Sequence, residues 1–497
     1  MNDALSGSRL DPRTAPPFPK AAKISLRDAQ LRANVRRATD TIQTKRRLLV
    51  EEKKDWQELR ESARQIRAHV LEHLHVYLEE FEQNFTRAGG HVHWARNEQE
   101  ACELVVAITK EAKADEVIKI KSMTTEEIHL NDALEAAGIH AYETDLAELI
   151  IQLGHDRPSH IVVPALHKNR KQIREIFLRE MHLAELGENP ADLAEAARRF
   201  LREKFLRVQT AVSGANFLIA ETGGICIVES EGNGRMCLTL PETLISVVGI
   251  EKVIPRFADL EVFLQILARS ATGERMNPYN SVWSGVTPGD GPRSMHVVLL
   301  DNARTAVLAD EIGRQTLQCI RCAACQNACP VYRQTGGHAY GSAYAGPIGA
   351  ILTPQLMEMQ HGESLPYASS LCGACYEVCP VKINIPEVLI HLRNKIAKQK
   401  GWYAPEALSM RAMGAVFRSE RRFRAAQRLA YMAQAPLAKK DLPIVGQDVQ
   451  AGAGSSSMSG VGWVKWLPGI FGAWTQTRDL RAIPRESFRE WWEKRRI

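Results

Sequence analysis

The chain has 497 residues, 45% hydrophobic and 25% charged, a globular composition on a length that calls for more than one domain. Its net charge of +6, from 64 basic and 58 acidic residues, is too small to argue for nucleic acid, which asks for a clustered basic face. The N-terminal "MNDALSGSRLDPRTAPPFPK" lacks the apolar run of a signal peptide, and stretches such as "SHIVVPAL" and "LISVVGI" fall far short of the ~20 residues of a membrane helix. The expectation is a cytoplasmic protein with no transmembrane segment, whose membrane contact is at most peripheral.

Residues 1–23 are Pro-rich and read as loose. Ser25 is placed to cap a helix through "LRDAQLRANVRRATDTIQTKRRLL". A second helix, "WQELRESARQIRAHVLEHLHVYLEEFEQNFTRAG", carries Ile66, Val70, Leu74, Leu78 and Phe81 at helical spacing and stops at Gly89 and Gly90. Helices and apolar strands then alternate. "GGHVHWA", "EVIKIKS", "HAYET" and "PSHIVVPA" read as strands among helices such as "NEQEACELVVAITKEAKA", "IHLNDALEAAG", "NRKQIREIFLREM" and "PADLAEAARRFLREKFLRV". "GANFLIAET", "ICIVES", "MCLTL", "ISVVGIEKVI" and "HVVLLDN" follow as strands with little helix between them. Alternation implies an α/β domain, and the late run of strands makes its sheet mixed. Residues 304–395 read as an all-α, loop-rich domain that leans on metal for its folding energy. The parts are an N-terminal extension and helix (1–65), the α/β domain (66–303), the cysteine domain (304–395) and a helical C-terminal region (396–497). That region holds the Gly/Ser-rich linker "GQDVQAGAGSSSMSG" and a short Trp-bearing helix in "PRESFREWWEKRR".

Seven of the ten cysteines fall between 319 and 379. Such clustering inside a long chain points to metal rather than to a secreted disulfide framework. Cys319, Cys322, Cys325 and Cys329, followed by Pro330, have the C-x2-C-x2-C-x3-C-P spacing of bacterial 4Fe-4S proteins. In that arrangement the first three thiolates wrap one cubane and the fourth reaches a second. Cys372, Cys375 and Cys379, followed by Pro380, repeat the run with Ser369 in place of its first cysteine. If the runs are pseudo-symmetric, the first cluster takes Cys319, Cys322, Cys325 and Cys379, and the second takes Cys329, Cys372 and Cys375. Zinc sites use C-x2-C pairs, two per metal, and fit this spacing badly. The second cluster is then 3Fe-4S with three thiolates, or 4Fe-4S completed by a serine hydroxyl, a hydroxide or a remote cysteine. Cys102, Cys226 and Cys237 are the remote candidates, each inside an apolar pattern where buried structural cysteine is common. No complete G-x-G-x-x-G precedes a helix, so no flavin or nicotinamide Rossmann site is recognisable. Two adjacent clusters without such a site describe an electron relay between other proteins.

"CIRCAACQNACPVYRQTGGHAYGSAYAGPIGAILTP" and "PYASSLCGACYEVCPVKINIPEVLI" resemble the lactate utilization protein B family, iron-sulfur subunits of a bacterial L-lactate oxidising system. "IKSMTTEEIHLNDALEAAGI" and "ANFLIAETGGICIVESEGNGRMCLTLP" resemble that family's lactate-utilization domain, which is similar in fold to sugar-isomerase and CoA-transferase sheet domains. The resemblance spans about residues 20–400 and weakens beyond. It implies a two-cluster ferredoxin-like domain, the same seven cysteine ligands, and an electron-transfer role in converting L-lactate to pyruvate. It also implies two partners, a cysteine-rich subunit and a small subunit with the same sheet domain, and it places the lactate chemistry outside this chain.

Other residues qualify as sites. Lys121, Ser122, Thr124 and Thr125 follow a strand, where open α/β sheets bind ligands, though the same residues make an ordinary capped helix start. Glu221 and Glu229 flank glycines as a nucleophilic glutamate does in CoA-transferase relatives, against the plainer reading of exposed carboxylates in a strand-turn-strand. His91 and His93 share one strand face and, lacking a third ligand, read as a hydrogen-bonded pair. The basic run "RSERRFRAAQR", residues 418–428, is a solvated face or a docking surface for an acidic partner or anionic membrane, with Trp463, Trp466 and Trp474 as anchors.

Overall fold

The computed structural model describes residues 10–439, 462–476 and 478–495. The chain divides into two compact units, Met1–Ile396 and Ala397–Ile497.

Several local expectations change at the start of the first unit. Residues expected to be loose include the helix Phe18–Ser25, entered through prolines, which buries Phe18, Ala21 and Ala22. Ser25 is therefore its last residue and caps nothing. The next helix, Ala29–Glu51, is capped by Asp28, whose side chain accepts from Leu31 N at 2.8 Å. The long helix expected after residue 56 breaks at His73, which leaves helical geometry at φ −120° and ψ 29°. The break lets one amphipathic sequence serve two cores. Trp56, Ala63 and Leu71 in Trp56–Glu72 join the core that holds the clustered cysteines. Leu74, Leu78, Phe81 and Phe85 in Leu74–Arg87 join the core beneath the sheet.

The α/β domain is built on a six-stranded, wholly parallel sheet. Its strands are β1 (His91–Ala95), β2 (Glu116–Lys119), β3 (His140–Glu143), β4 (Thr210–Ser213), β7 (Thr243–Gly249) and β10 (Ser294–Leu300), in the order β1-β10-β7-β4-β2-β3. The antiparallel pairings expected within it occur in a separate, mixed sheet instead, while the late strands β7 and β10 stay in the parallel one. That sheet holds β5 (Phe217–Ile219), β6 (Gly224–Glu229), β8 (Val253–Ile254) and β9 (Tyr279–Trp283), ordered β8-β5-β6-β9. The reason is a tight turn at Ala220–Gly223 that folds β6 back on β5 before the chain can cross over. Gly223 takes φ +65° there, and a Cβ on it would stand 2.5 Å from Phe85 N.

Two expected strands are absent. "MCLTL" lies in and just past the helix Asn233–Thr239, because the Glu229 carboxylate accepts from the backbone N–H groups of Gly232, Gly234 and Arg235 and starts a helical turn. A short apolar run cannot by itself separate the two outcomes. "PSHIVVPA" is a loop. Its His160 Nδ1 accepts from Val162 N and Val163 N, each at 3.0 Å, and Pro158 and Pro164 bring no N–H to a ladder.

After β10 the first unit is helical and loop-rich, with no strand among the described residues up to 396. In the second unit, helices Pro405–Phe417 and Glu420–Gln434 precede a small antiparallel sheet of β11 (Ala438–Lys439), β12 (Trp463–Val464) and β13 (Leu480–Arg481). The short helix Phe488–Glu493 forms with a Ser487–Glu490 capping box. The linker at 446–460 lies outside the described residues. No helix among the described residues is long and apolar enough to cross a membrane.

Candidate metal centre

Both cysteine runs fold the same way, residue for residue. In the first, Arg321 and Ala323 take left-handed φ of +60° each, the helix Ala324–Ala328 carries Cys325, and Cys329 ends it in extended geometry. In the second, Leu371 (φ +55°) and Gly373 (φ +85°) make the same turns, the helix Ala374–Val378 carries Cys375, and Cys379 ends it. Ser369 thus occupies the place of Cys319. Arg321 N donates to Cys319 Sγ at 3.4 Å, and Leu371 N donates to Ser369 Oγ at 3.1 Å. The hydroxyl sits where the first run has a thiol and receives the same backbone bond.

The thiols gather into two sets. Every pair among Cys319, Cys322, Cys325 and Cys379 interacts electrostatically, and so does every pair among Cys329, Cys372 and Cys375. Cys325 also feels Cys375, so the sets are neighbours. Burial first, and mutual repulsion second, push Cys322 and Cys375 up to about 12. Without a cation this is a hostile place for thiolates; a soft, positively charged group coordinated by all of them reverses that balance. All ten cysteines are free, and of these seven only Cys372 is exposed. The first set is enclosed and the second reaches the surface, beside the exposed Tyr367, Leu371 and Tyr376. Further backbone N–H groups point at sulfur, from Tyr332 to Cys329 at 3.5 Å and from Ile383 to Cys379 at 3.3 Å.

The N-terminal helices clasp this region. Arg60 donates to Cys379 O at 2.7 and 2.9 Å, and Arg46 donates to Val378 O at 3.0 Å. A buried ionic network ties the centre to the parallel sheet. Glu251, just past β7, meets Arg304 Nε at 2.6 Å and Arg321 Nη2 at 3.2 Å. Arg304 also pairs with both oxygens of Glu127 at 2.9 Å, and Tyr344 donates to Glu127 at 2.7 Å. Burial opposes ionisation of Glu251, yet Arg304, Arg321 and Lys252 hold its carboxyl down at about 2.

The remaining candidates separate. Lys121, Ser122 and Thr124 line a cleft of about 410 Å³ at the carboxyl ends of β2 and β4, whose wall also includes Arg321 and Cys322. Ser122 caps the helix Met123–Glu127, and Thr125 Oγ1 donates back to Ser122 O at 2.9 Å, so the plain capping role is present too. Glu221 lies outside this cleft and accepts from Phe257 N at 2.8 Å. Glu229 lines it with both oxygens taken by backbone amides, a poor state for a nucleophile. His93 Nε2 bonds His296 Nδ1 at 3.0 Å, and His91 stacks on His296 with centroids 4.9 Å apart. His296, on the neighbouring strand β10, was invisible to a reading along one strand. Cys102, Cys226 and Cys237 sit in the helix Glu98–Glu111, in β6 and in Asn233–Thr239. In the basic run, Arg424 reaches Glu420 and Glu493, and Arg428 reaches Glu490. Trp466 and Trp474 are exposed.

Sequence reading also missed buried charge. Lys119 on β2 is 1% exposed and pairs with Glu143 Oε1 at 2.6 Å. Asp156, His167 and His338 can place ligand atoms within 4.8 Å of one another. His167 and Lys168 already pair with Asp156, and His338 Nε2 bonds Arg157 O at 2.8 Å, so the group reads as a neutralised network.

Comparison with known proteins adds independent information. Residues 78–300 match the LUD domain, and residues 315–383 match a 4Fe-4S dicluster domain. The chain is similar to Lactate utilization protein B 1 of Bacillus mycoides, 42% identical over 482 residues that cover 96% of each chain. It is likewise 42% identical to Lactate utilization protein B of Bacillus licheniformis, over 94% of each chain. A solved DUF162 family protein from Deinococcus radiodurans aligns with 14% identity and a TM-score of 0.26, over 46% of this chain and 98% of that one. That likeness is too distant to bear on the fold.

Proposed function

The chain belongs to the lactate utilization protein B family, and on that premise we propose that it is a cytoplasmic iron-sulfur electron-transfer subunit in the oxidation of L-lactate to pyruvate. Its partners in this reading are a cysteine-rich subunit and a small subunit carrying the same sheet domain. Cys319, Cys322, Cys325 and Cys379 hold a 4Fe-4S cluster, and Cys329, Cys372 and Cys375 hold the second. When bound, the clusters supply reversible one-electron carriers. The observation that carries the reading is the gathering of the thiols into two adjoining sets, one enclosed and one at the surface. Enclosure keeps water from the first set, and exposure at Cys372 gives a partner's acceptor a short approach to the second.

The fourth position of the second cluster we assign to the Ser369 hydroxyl, on its equivalence with Cys319 and the shared backbone bond. The second cluster is then 4Fe-4S rather than 3Fe-4S.

Anaerobic purification with the native partners, followed by iron analysis and EPR during titration with lactate, tests both statements. Eight irons per chain and lactate-dependent reduction only in the presence of partners are expected. Lactate oxidation by the isolated chain would overturn the relay. Ser369→Cys should keep the full iron content with a shifted second-cluster signal, while Ser369→Ala should yield a three-iron signal. An unchanged spectrum in both variants would remove Ser369 from the ligand set.

A further inference from the structure

The cleft between the sheet and the cysteine loop holds buried cationic nitrogens that lack a hydrogen bond. It is walled by the segments following β2 and β4, at the carboxyl edge of the parallel sheet, and by Ile320, Arg321 and Cys322. Carboxyl edges of open α/β sheets are where such folds bind ligands. Its volume of about 410 Å³ falls within the usual range for small-molecule sites.

Three cations line it. Lys252 is 6% exposed and lies in the opposing fields of Arg321 and Glu251, with no hydrogen bond from its side chain among the described residues. Its neighbour Glu251 is committed to Arg304 and Arg321. Arg321 Nη1 is buried without a partner. Lys121 Nζ is buried without a hydrogen bond and stands 3.4 Å from Glu148 Oε1. Buried polar groups are almost always satisfied, so two nitrogens without a hydrogen bond at one cavity, Lys121 Nζ and Arg321 Nη1, call for a ligand or ordered water.

Three acids also line the cleft, and each is engaged by backbone N–H groups. Asp145 accepts from Ala147 N and Glu148 N at 2.9 and 3.2 Å, Glu231 accepts from Leu146 N at 3.0 Å, and Glu229 accepts from its own loop. The rest of the wall is apolar and includes Ile120, Ile161, Val162, Ile227 and Leu267. Apolar walls with a few cationic nitrogens open to a further hydrogen bond select an anion with an apolar body over a bare, strongly hydrated one.

We propose that this cleft binds an organic carboxylate with an apolar body, its carboxylate held by Lys252 and Arg321 and a second polar group met by Lys121. The body lies against Ile120, Ile161, Val162 and Leu267. Because Cys322 shares the wall, an occupant touches the loop of the first cysteine set. That consequence rests on the cluster assignment above; the binding itself does not.

The test is calorimetric titration of anaerobically purified holoprotein with hexanoate, acetate and inorganic phosphate, with iron measured on the same samples. Hexanoate should bind at one saturable site at least about tenfold more tightly than acetate, the added methylenes supplying the difference, and phosphate should not saturate. Lys252→Met and Lys121→Met should each weaken hexanoate by about tenfold with iron content unchanged, and Lys252→Arg should restore it. Equal affinity for acetate and hexanoate, tighter phosphate, or indifference to both lysine variants would overturn the proposal. If Lys252→Met does not fold, Lys121→Met decides alone. Low iron with hexanoate binding retained would remove the cluster assignment and leave this site standing.

Discussion

Replacing Glu251 by glutamine isolates the worth of the ionic link between sheet and cysteine domain. Glu251 is fully buried between Arg304 Nε at 2.6 Å and Arg321 Nη2 at 3.2 Å. Its carboxyl is lowered from 4.5 to about 2. At ~1.4 kcal/mol per pKa unit, that preference for the charged form is worth ~3 kcal/mol, in line with the cost of breaking a buried pair. Glu251→Gln keeps the volume and removes the charge, leaving Arg321 without its carboxylate. Urea unfolding at pH 7, followed by circular dichroism under anaerobic conditions, should show the first-unit transition at lower urea. With a slope of ~3 kcal/mol/M the midpoint falls by ~1 M. The sign with pH follows from the lowered pKa. The stabilisation is complete above about pH 4.5 and is lost as pH falls toward 2, so wild type and variant should converge in acid. A midpoint shift below ~0.3 M at pH 7, or a gap that widens in acid, would refute the reasoning.

Three further outcomes are expected. Arg60→Gln, which keeps a donor to Cys379 O but removes a charge close to the first cysteine set, should lower that cluster's potential. A charge ~7 Å away at an effective dielectric of ~20 is worth ~2 kcal/mol, or ~100 mV for one electron; a redox titration shift under ~20 mV would contradict this. Phe81→Ala empties a fully buried site stacked on Phe85 at 5.6 Å and should cost ~3–5 kcal/mol in chemical denaturation. Gly337→Ala places a Cβ 2.1 Å from Ser159 O and should loosen the 156–169 loop. Limited proteolysis would then cut within that loop, and an unchanged digestion pattern would count against the packing described.

What could be read in advance follows the range of the forces involved. The cysteine runs announce themselves because ligand spacing is set by a few consecutive residues and a small rigid metal group. The family resemblance and the alternation of helices with strands were legible on the same local grounds. Breaks and caps were less so. His73 divides a continuous amphipathic pattern because its two halves meet different cores, which no periodicity along the helix reveals. "PSHIVVPA" has the apolar content of a strand, but His160 Nε2 pairs with Asn327 Oδ1 at 3.1 Å and Tyr332 donates to Ser159 O at 2.7 Å, so distant partners make it a loop. The cleft was only half visible. Lys121 could be flagged from the strand before it, whereas Lys252 and Arg321 come from other segments and become cleft residues only in three dimensions. Lys119 and Glu143 lie on different strands, and only the sheet brings them together and buries them against each other.

The clasp of Arg46 and Arg60 on residues 378 and 379 has a consequence for the order of events during synthesis. Side chains translated among the earliest grip the carbonyls of the last cysteine ligand and of the residue before it. The ribosome therefore releases nearly the whole first unit before the ring of contacts can close, and contacts of such long sequence separation form slowly. Until then the guanidinium groups of the early helices lack these carbonyl partners. Arrival of the second cysteine run supplies the missing ligands and the missing carbonyls in one stroke, so capture of the inorganic cargo and closure of the chain are one event.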